Sequence, residues 1–157
     1  MKHTITALVE NQPGVLARIV GLISGRGYNI ESLNVGPTQD PATSRMTIQV
    51  PGDDRVLEQV TKQLNRLVDV IKVADLTGAG FLNQEVVLIK LAAGPEQRRQ
   101  VMDLVGIYGA RIIAVQPNSL VVRVADEQTR VNDFLELVKP FRILDVCRSG
   151  LIAMAAE

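Results

Sequence analysis

Residues 3–27, HTITALVENQPGVLARIVGLISGRG, decide the fold. Apolar and polar residues alternate over residues 3–10, which predicts a strand with one buried face. Pro13-Gly14 marks a turn. Apolar residues then recur at helical spacing, at Val15, Leu16, Ile19, Leu22 and Ile23. Gly25 and Gly27 supply the backbone freedom that ends a helix. The stretch is therefore a strand, a tight turn and a helix.

The same order continues outward along the chain and then repeats. The predicted strands cover residues 3–10, 28–35, 44–50 and 68–76, and then 84–92, 110–115, 120–125 and 142–153. The predicted helices begin at Pro13-Gly14, Asp53-Asp54, Gly94-Pro95 and Glu127. This pattern predicts an α+β protein of two tandem ferredoxin-like βαββαβ units, each an antiparallel sheet with two helices on one face.

Thr77-Gly78-Ala79-Gly80 is the stretch with the composition of a linker. We therefore predict one domain over residues 1–77, a linker over 78–83 and a second domain over 84–157. Units of roughly 75 residues bury little core, and each sheet leaves its second face and its edges to be covered. A homodimer or a larger oligomer is therefore expected.

The composition excludes several classes of function. The 157 residues carry 17 Lys plus Arg and 17 Asp plus Glu, with one His, one Cys and no Trp. Without a basic block or many aromatic rings, we expect no binding to nucleic acid. One His and one Cys cannot form a structural zinc site, and His3 is expected at a surface or sheet edge. We predict no catalytic residue, no metal and no cofactor in this chain.

The apolar runs are much shorter than the roughly 20 residues of a membrane span, so no membrane association is expected. The N-terminal residues show no export signal. The single Cys147 fits a reducing compartment, and we expect the protein to be cytoplasmic.

The loop over residues 10–16 carries the strongest functional signal. A helix that begins at Gly14 presents unpaired amides and a positive dipole end, which suit a carboxylate. Asn11 adds a side-chain oxygen that can accept from an ammonium group. An α-amino acid carries both groups. The alternative is that Asn11 and Pro13-Gly14 are plain turn residues.

The second unit keeps the scaffold and lacks these polar groups. Its first helix follows Ala92-Ala93-Gly94-Pro95, where the first unit has Asn11-Gln12-Pro13-Gly14. Its second strand opens Gly109-Ala110-Arg111-Ile112, where the first unit has Gly27-Tyr28-Asn29-Ile30. This difference favours a ligand site in the first unit only, with both Asn11 and Asn29.

The first unit resembles an ACT domain, the amino-acid-sensing module of many metabolic enzymes. Motifs at residues 11–16, 26–33, 37–41, 44–48 and 67–73, with a further one at 148–150, stand in the order and spacing of one narrower family. Over its whole length the chain resembles the family of small, regulatory subunits of acetohydroxyacid synthase (AHAS), also called acetolactate synthase.

The resemblance implies a subunit without an active site that binds a catalytic subunit, which holds thiamine diphosphate, a flavin and magnesium. It implies activation and feedback inhibition by a branched-chain amino acid, usually valine, with isoleucine and leucine open. Two ACT domains would pair edge to edge around the effector. The implied ligand-binding residues are Asn11, Gly14, Val15 and Leu16 of one protomer and Asn29 and Ile30 of the other.

Two other functions remain open at this point. ACT-like domains also serve in amino-acid-responsive transcriptional regulators, but the sequence shows no helix-turn-helix or basic arm. An acylphosphatase-like hydrolase on the same fold would need an arginine in the helix-start loop, where this chain has Asn11-Gln12-Pro13-Gly14.

Overall fold

The computed structural model describes residues 1–78 and 80–157, so Ala79 of the predicted linker lies outside the described residues. The chain forms two compact units. The first comprises residues 1–82 together with 151–157, and the second comprises residues 83–150.

The first unit is a four-stranded antiparallel sheet in the order β2-β3-β1-β4. Its elements are β1 (Lys2–Glu10), α1 (Val15–Gly25), β2 (Ser32–Pro37), β3 (Thr43–Pro51), α2 (Asp54–Asn65) and β4 (Val70–Asp75). Alternate residues of β1 and β3 pack against the apolar stripes of α1 and α2 to form one buried core. Asp53 caps α2 by accepting a hydrogen bond from the Val56 amide at 3.0 Å.

The second unit repeats this architecture, and its sheet runs in the order β6-β7-β5-β8. Its elements are β5 (Phe81–Ala92), α3 (Pro95–Ile107), β6 (Arg111–Gln116), β7 (Ser119–Asp126), α4 (Gln128–Val138), a 3₁₀ turn (Lys139–Phe141) and β8 (Ile143–Arg148). A short final strand, β9 (Ile152–Ala155), pairs with β5, whose first two residues belong to the first unit. Phe134 is the largest fully buried side chain of the second core. The predicted α+β fold of two βαββαβ units is confirmed.

The predicted start of the second strand is wrong. β2 begins at Ser32, four residues after the predicted start at Tyr28. The Tyr28 amide donates to the Ile23 carbonyl and so closes the end of α1. Tyr28 and Ile30 pack on the first core before the chain joins the sheet. Burial of these side chains therefore competes with strand pairing at this point.

The predicted last strand, residues 142–153, is also wrong, because the structure divides it into β8 and β9. The Ser149 amide donates to the Val86 carbonyl, and Gly150 adopts a positive φ of 81°, which turns the chain. The C-terminal segment, residues 151–157, then packs in the first unit, although the predicted domain 84–157 includes it. At the N-terminal end of the predicted second domain, strand β5 begins at Phe81, which lies inside the predicted linker 78–83.

His3 is buried, which corrects the expectation of a surface or edge residue. It is fully buried, and its Nε2 lies 3.0 Å from the Gly52 carbonyl oxygen and 2.9 Å from that of Asp53. Because Nε2 meets two acceptors, it carries the proton and donates to both. His3 is therefore a structural residue that ties β1 to the start of α2.

The sheet face of the first unit that points away from its helices is partly covered by the C-terminal segment. Thr6 and Thr47 on this face are 2% and 4% exposed. The Leu151 amide donates to the Ser32 hydroxyl oxygen at 3.1 Å, and Leu151 packs with Leu76 in a small apolar cluster. Part of the cover that the sequence assigns to a second protomer is thus supplied by the same chain.

Candidate functional site

The start of α1 has a left-handed backbone conformation at Gly14. Gly14 caps the helix with φ 86° and ψ −9°, the left-handed region that side chains disfavour. A Cβ on Gly14 would lie 3.0 Å from Nη1 of Arg18. Glycine therefore both permits the turn and leaves space beside the helix end.

The first amides of α1 are available to a ligand. The Val15 amide reaches the Gln12 carbonyl only at 3.4 Å, and no side chain caps the helix. In the part of the chain that the structure describes, the amides of Gly14 and Leu16 donate to no acceptor. Free amides at the positive end of a helix dipole bind carboxylates well.

Asn11 lies beside this helix start and has a fixed orientation. Its Nδ2 donates to the Pro41 carbonyl at 3.0 Å, and its backbone amide donates to Ala42 at 2.8 Å. Because a carbonyl can only meet the NH₂ end of the side chain, Oδ1 points the other way. Among the described residues, Oδ1 has no hydrogen-bond partner. Asn11 is thus a turn residue and also offers an acceptor.

Val15 and Leu16 differ in what they can contribute. The Val15 side chain is 3% exposed and belongs to the core, so only its backbone can reach a ligand. Leu16 is 44% exposed and gives the loop an accessible apolar side chain. Within the predicted site, Val15 can therefore contribute only its backbone, whereas Leu16 can also contribute its side chain.

Arg18 and Asp69 are neighbours of the site that the sequence analysis missed. Nε and Nη2 of Arg18 lie 2.8 Å and 2.7 Å from Oδ2 of Asp69. Arg18 follows Gly14 by one helical turn, and this i, i+4 spacing is the signal that could have identified it. Its guanidinium lies beside Gly14, with its charge balanced by Asp69.

Asn29 and Ile30 lie at the other end of the same sheet. Asn29 is exposed, and Ile30 is half-buried against the core. The backbone amide of Glu31 donates to the Gln49 carbonyl near one end of β3. The backbone amide of Asn11 donates to the Ala42 carbonyl just before the other end. At about 3.3 Å per residue, the two ends are about 20 Å apart. A single chain therefore does not bring Asn11 and Asn29 together.

The described residues hold no group of three or more His, Cys, Asp and Glu side chains that could bind a metal ion. No helix in residues 1–78 or 80–157 has the length and apolar character to cross a membrane.

Two family models together match nearly the whole chain. The model described as an AHAS small subunit-like ACT domain matches residues 5–72, and the model for the small subunit of acetolactate synthase matches residues 84–157. The chain belongs to the acetolactate synthase small-subunit family. This result agrees with the resemblance carried by the sequence motifs.

Individual relatives support the same assignment along the full length. The chain is 47% identical to the probable acetolactate synthase small subunit of Archaeoglobus fulgidus, over 98% of this chain and 96% of that protein. It is 41% identical to the acetolactate synthase isozyme 3 small subunit of Escherichia coli, over 99% and 96%. The crystal structure of the small subunit from Thermotoga maritima superposes with a TM-score of 0.87 at 32% identity, over 98% and 96%.

Proposed function

We propose that this chain is the regulatory subunit of an acetolactate synthase. It binds the catalytic subunit, raises its activity and makes it sensitive to a branched-chain amino acid, with valine as the leading candidate and isoleucine and leucine as alternatives. Thiamine diphosphate, flavin and magnesium belong to the catalytic subunit in this proposal. The observation that carries it is the free helix start at Gly14 beside the unpartnered oxygen of Asn11.

These groups match the two ends of a zwitterion. The effector carboxylate accepts from the amides of Gly14 and Leu16. The ammonium group donates to Oδ1 of Asn11. The branched side chain packs on the exposed Leu16. Neutral groups and backbone dipoles recognise both charges without an ionisable catalytic group.

A second protomer completes the site. β2 is the outer strand of its sheet, and residues 32–37 pair only with β3 in the part of the chain that the structure describes. Antiparallel pairing of two copies of β2 places the start of one beside the end of the other. The end of β2, at Pro37, pairs with Ser44, which pairs with Val9 near the Asn11 loop. Asn29 and Ile30 of the second protomer then approach Asn11 of the first.

The energetics suit a metabolite sensor. Hydrogen bonds to charged groups contribute roughly 1.5–3 kcal/mol each, and burial of an isopropyl group contributes roughly 1.5–3 kcal/mol. Association costs offset part of this, so a micromolar site, about −8 kcal/mol, is expected. Because the site spans two chains, the effector favours one dimer geometry, and this differential affinity is the regulatory coupling.

The first experiment reconstitutes the chain with an acetolactate synthase catalytic subunit and measures acetolactate formation with and without valine. We expect the activity to rise on addition of the chain and to fall again as valine is added. Unchanged activity would contradict the regulatory role. A rise in activity that none of the three branched-chain amino acids reverses would contradict only the assignment of the effector.

The second experiment measures valine binding by titration calorimetry for the wild type and Asn11→Ala. Loss of a charge-assisted hydrogen bond should weaken binding by about 10-fold or more. Asn118→Ala, an exposed asparagine between β6 and β7, is the matched control and should bind as the wild type does. Equal affinity of the wild type and Asn11→Ala would remove Asn11 from the site.

A further inference from the structure

A cavity lies on the first unit, on the sheet face that points away from α1 and α2. It has a volume of about 220 Å³ between the sheet and the C-terminal strand β9. Its lining comprises Thr6, Leu8, Arg45, Lys72, Ala74, Leu76, Met154 and Ala155. None of these residues belongs to the predicted effector site. Pockets for drug-sized ligands hold roughly 300–1,000 Å³, so this volume suits a smaller ligand.

Strand register places two cations on one wall of this cavity. Leu8 pairs with Arg45 on β3 and with Lys72 on β4, so all three side chains rise from the same face. At about 4.8 Å between neighbouring strands, the Cα atoms of the two basic residues are about 10 Å apart. Their long side chains can therefore reach one anion between them.

The cavity contains no carboxylate to balance these charges. No Asp or Glu lines it, and within the described residues Arg45 and Lys72 form no ion pair. Glu10 follows Leu8 on the same strand face, but it does not line the cavity. The local field therefore attracts a negative charge.

The rest of the lining defines the body of the ligand. Five of the eight lining side chains are apolar: Leu8, Ala74, Leu76, Met154 and Ala155. A bare inorganic anion would leave this surface without a partner, and the hydroxyl of Thr6 is the remaining polar group. An amino acid fits poorly, because its ammonium group would face two cations and no carboxylate.

We propose that this cavity binds a short-chain aliphatic carboxylate without an amino group. The carboxylate lies between Arg45 and Lys72, and the aliphatic body packs on Leu8, Leu76 and Met154. Acetolactate, the product in the names of the relatives, belongs to this chemical class. The site is separate from the proposed effector site and selects against amino acids, because its lining offers an ammonium group no anionic partner.

The test uses the full-length chain with ¹³C-labelled methionine methyl groups. Met154 is the one lining residue among four methionines, so its signal reports on the cavity. The probe is 3-methylbutanoate, which is valine without its amino group. We expect a saturable shift of the Met154 signal and a weaker apparent affinity at high salt. No saturable shift at concentrations up to tens of millimolar would overturn the proposal.

Variants and analogues separate the contributions. Arg45→Gln and Lys72→Gln should each weaken binding about five-fold, as expected for solvent-accessible charges. Lys62→Gln on α2 is the matched control and should leave the affinity unchanged, as should Asn11→Ala. Unchanged affinity in the Arg45→Gln/Lys72→Gln double variant would overturn the charge assignment, and loss of the shift in Asn11→Ala would place the ligand in the effector site. Equal binding of 3-methylbutan-1-ol or of inorganic phosphate would overturn the proposed ligand class.

Discussion

The first helices of the two units begin in different ways. In the first unit, Gly14 has a positive φ, and among the described residues its amide and that of Leu16 donate to no acceptor. In the second unit, Gly94 is extended at φ −72°, and Pro95 at the first helical position has no amide hydrogen. Glu96 adds a negative charge to that first turn, where a carboxylate ligand would be repelled. We therefore expect a carboxylate site in only one of the two copies of this fold.

The last backbone amides before α3 are paired, as those of Glu10 and Asn11 before α1 are. The Ala92 amide donates to the backbone carbonyl of Arg142, and the Ala93 amide donates to that of Asn118. Ala93 is completely buried. In the first unit, the corresponding loop begins with the exposed Asn11, whose side-chain oxygen has no hydrogen-bond partner among the described residues. The loop has a packing role in both units, whereas in the first unit Oδ1 of Asn11 is a polar atom that no contact among the described residues uses.

The second unit uses its buried polar groups for its own stability. Glu85 is 2% exposed and accepts from Nε of Arg148 at 2.6 Å and from Nη2 at 2.9 Å. Nη2 of Arg148 also donates to Asn132 at 2.9 Å, and Gln128 donates to Glu85 at 3.3 Å. This cluster joins β5, β8 and α4. We interpret it as a structural anchor and expect no ligand there.

The largest expected effect tests that interpretation. Arg148→Met removes the cation that balances a buried carboxylate and should destabilise the protein by about 3 kcal/mol, the lower end for broken buried pairs because Arg148 is partly exposed. Urea unfolding measures this loss, and valine affinity under native conditions should stay unchanged. Arg130→Met, at an exposed pair with Asp126, is the control and should lose much less. A parallel loss of valine affinity in Arg148→Met would assign part of the effector site to the second unit.

The next effect concerns the two asparagines. Asn11→Ala/Asn29→Ala removes both polar side chains that the second unit lacks and should weaken valine binding about 100-fold or more. Arg111→Ala changes the residue of the second unit that corresponds to Asn29 and serves as the control. Titration calorimetry of both variants checks the prediction. A large loss in Arg111→Ala would show that the second unit also binds the effector.

Effector size should produce a smaller difference. Alanine lacks the methyl groups that pack on Leu16 and should bind roughly 10- to 200-fold more weakly than valine. Competition between the two amino acids in the calorimeter measures this ratio. Equal affinities would mean that the site reads only the zwitterion, and the apolar role of Leu16 would then be wrong.

The smallest expected effect compares the two helix-start glycines. Gly14→Ala places a Cβ at positive φ, a conformation that costs about 1–2 kcal/mol for other residues. The helix start of the free variant should relax out of this conformation, and restoring it on binding should weaken valine affinity by about 10-fold. Gly94→Ala meets no atom within 4 Å at a permitted φ and should bind normally. If the two substitutions have equal effects, the geometry of the first helix start is not what distinguishes the units.

Strong local patterns predicted most of the fold. Strand β3 and the start of α2 at Asp53-Asp54 appear where the sequence indicates them, because each depends on neighbours in the chain. The late start of β2 follows from the packing of Tyr28 and Ile30 on the first core, and the burial of His3 depends on its contact with Gly52. No local pattern records such contacts.

Part of the candidate site is likewise predictable from the sequence, and part is not. The turn and helix start at Gly14 are predictable from the sequence, whereas the pairing of Arg18 with Asp69 joins residues 51 positions apart and is recorded in no local pattern. The C-terminal segment could not be assigned to the first unit from sequence, because its hydrogen bond to Ser32 joins residues more than a hundred positions apart.

The central claim is that Asn11 and Asn29 meet only across two chains. The most direct test is a heterodimer in which one differently tagged chain carries Asn11→Ala and the other carries Asn29→Ala. In each mutant homodimer, both sites carry one of the two substitutions. In the heterodimer, one site carries neither substitution and the other site carries both. We predict that the purified heterodimer binds one valine with wild-type affinity, half the wild-type number of sites, and that neither mutant homodimer does. A heterodimer that binds no better than the two homodimers would contradict the account.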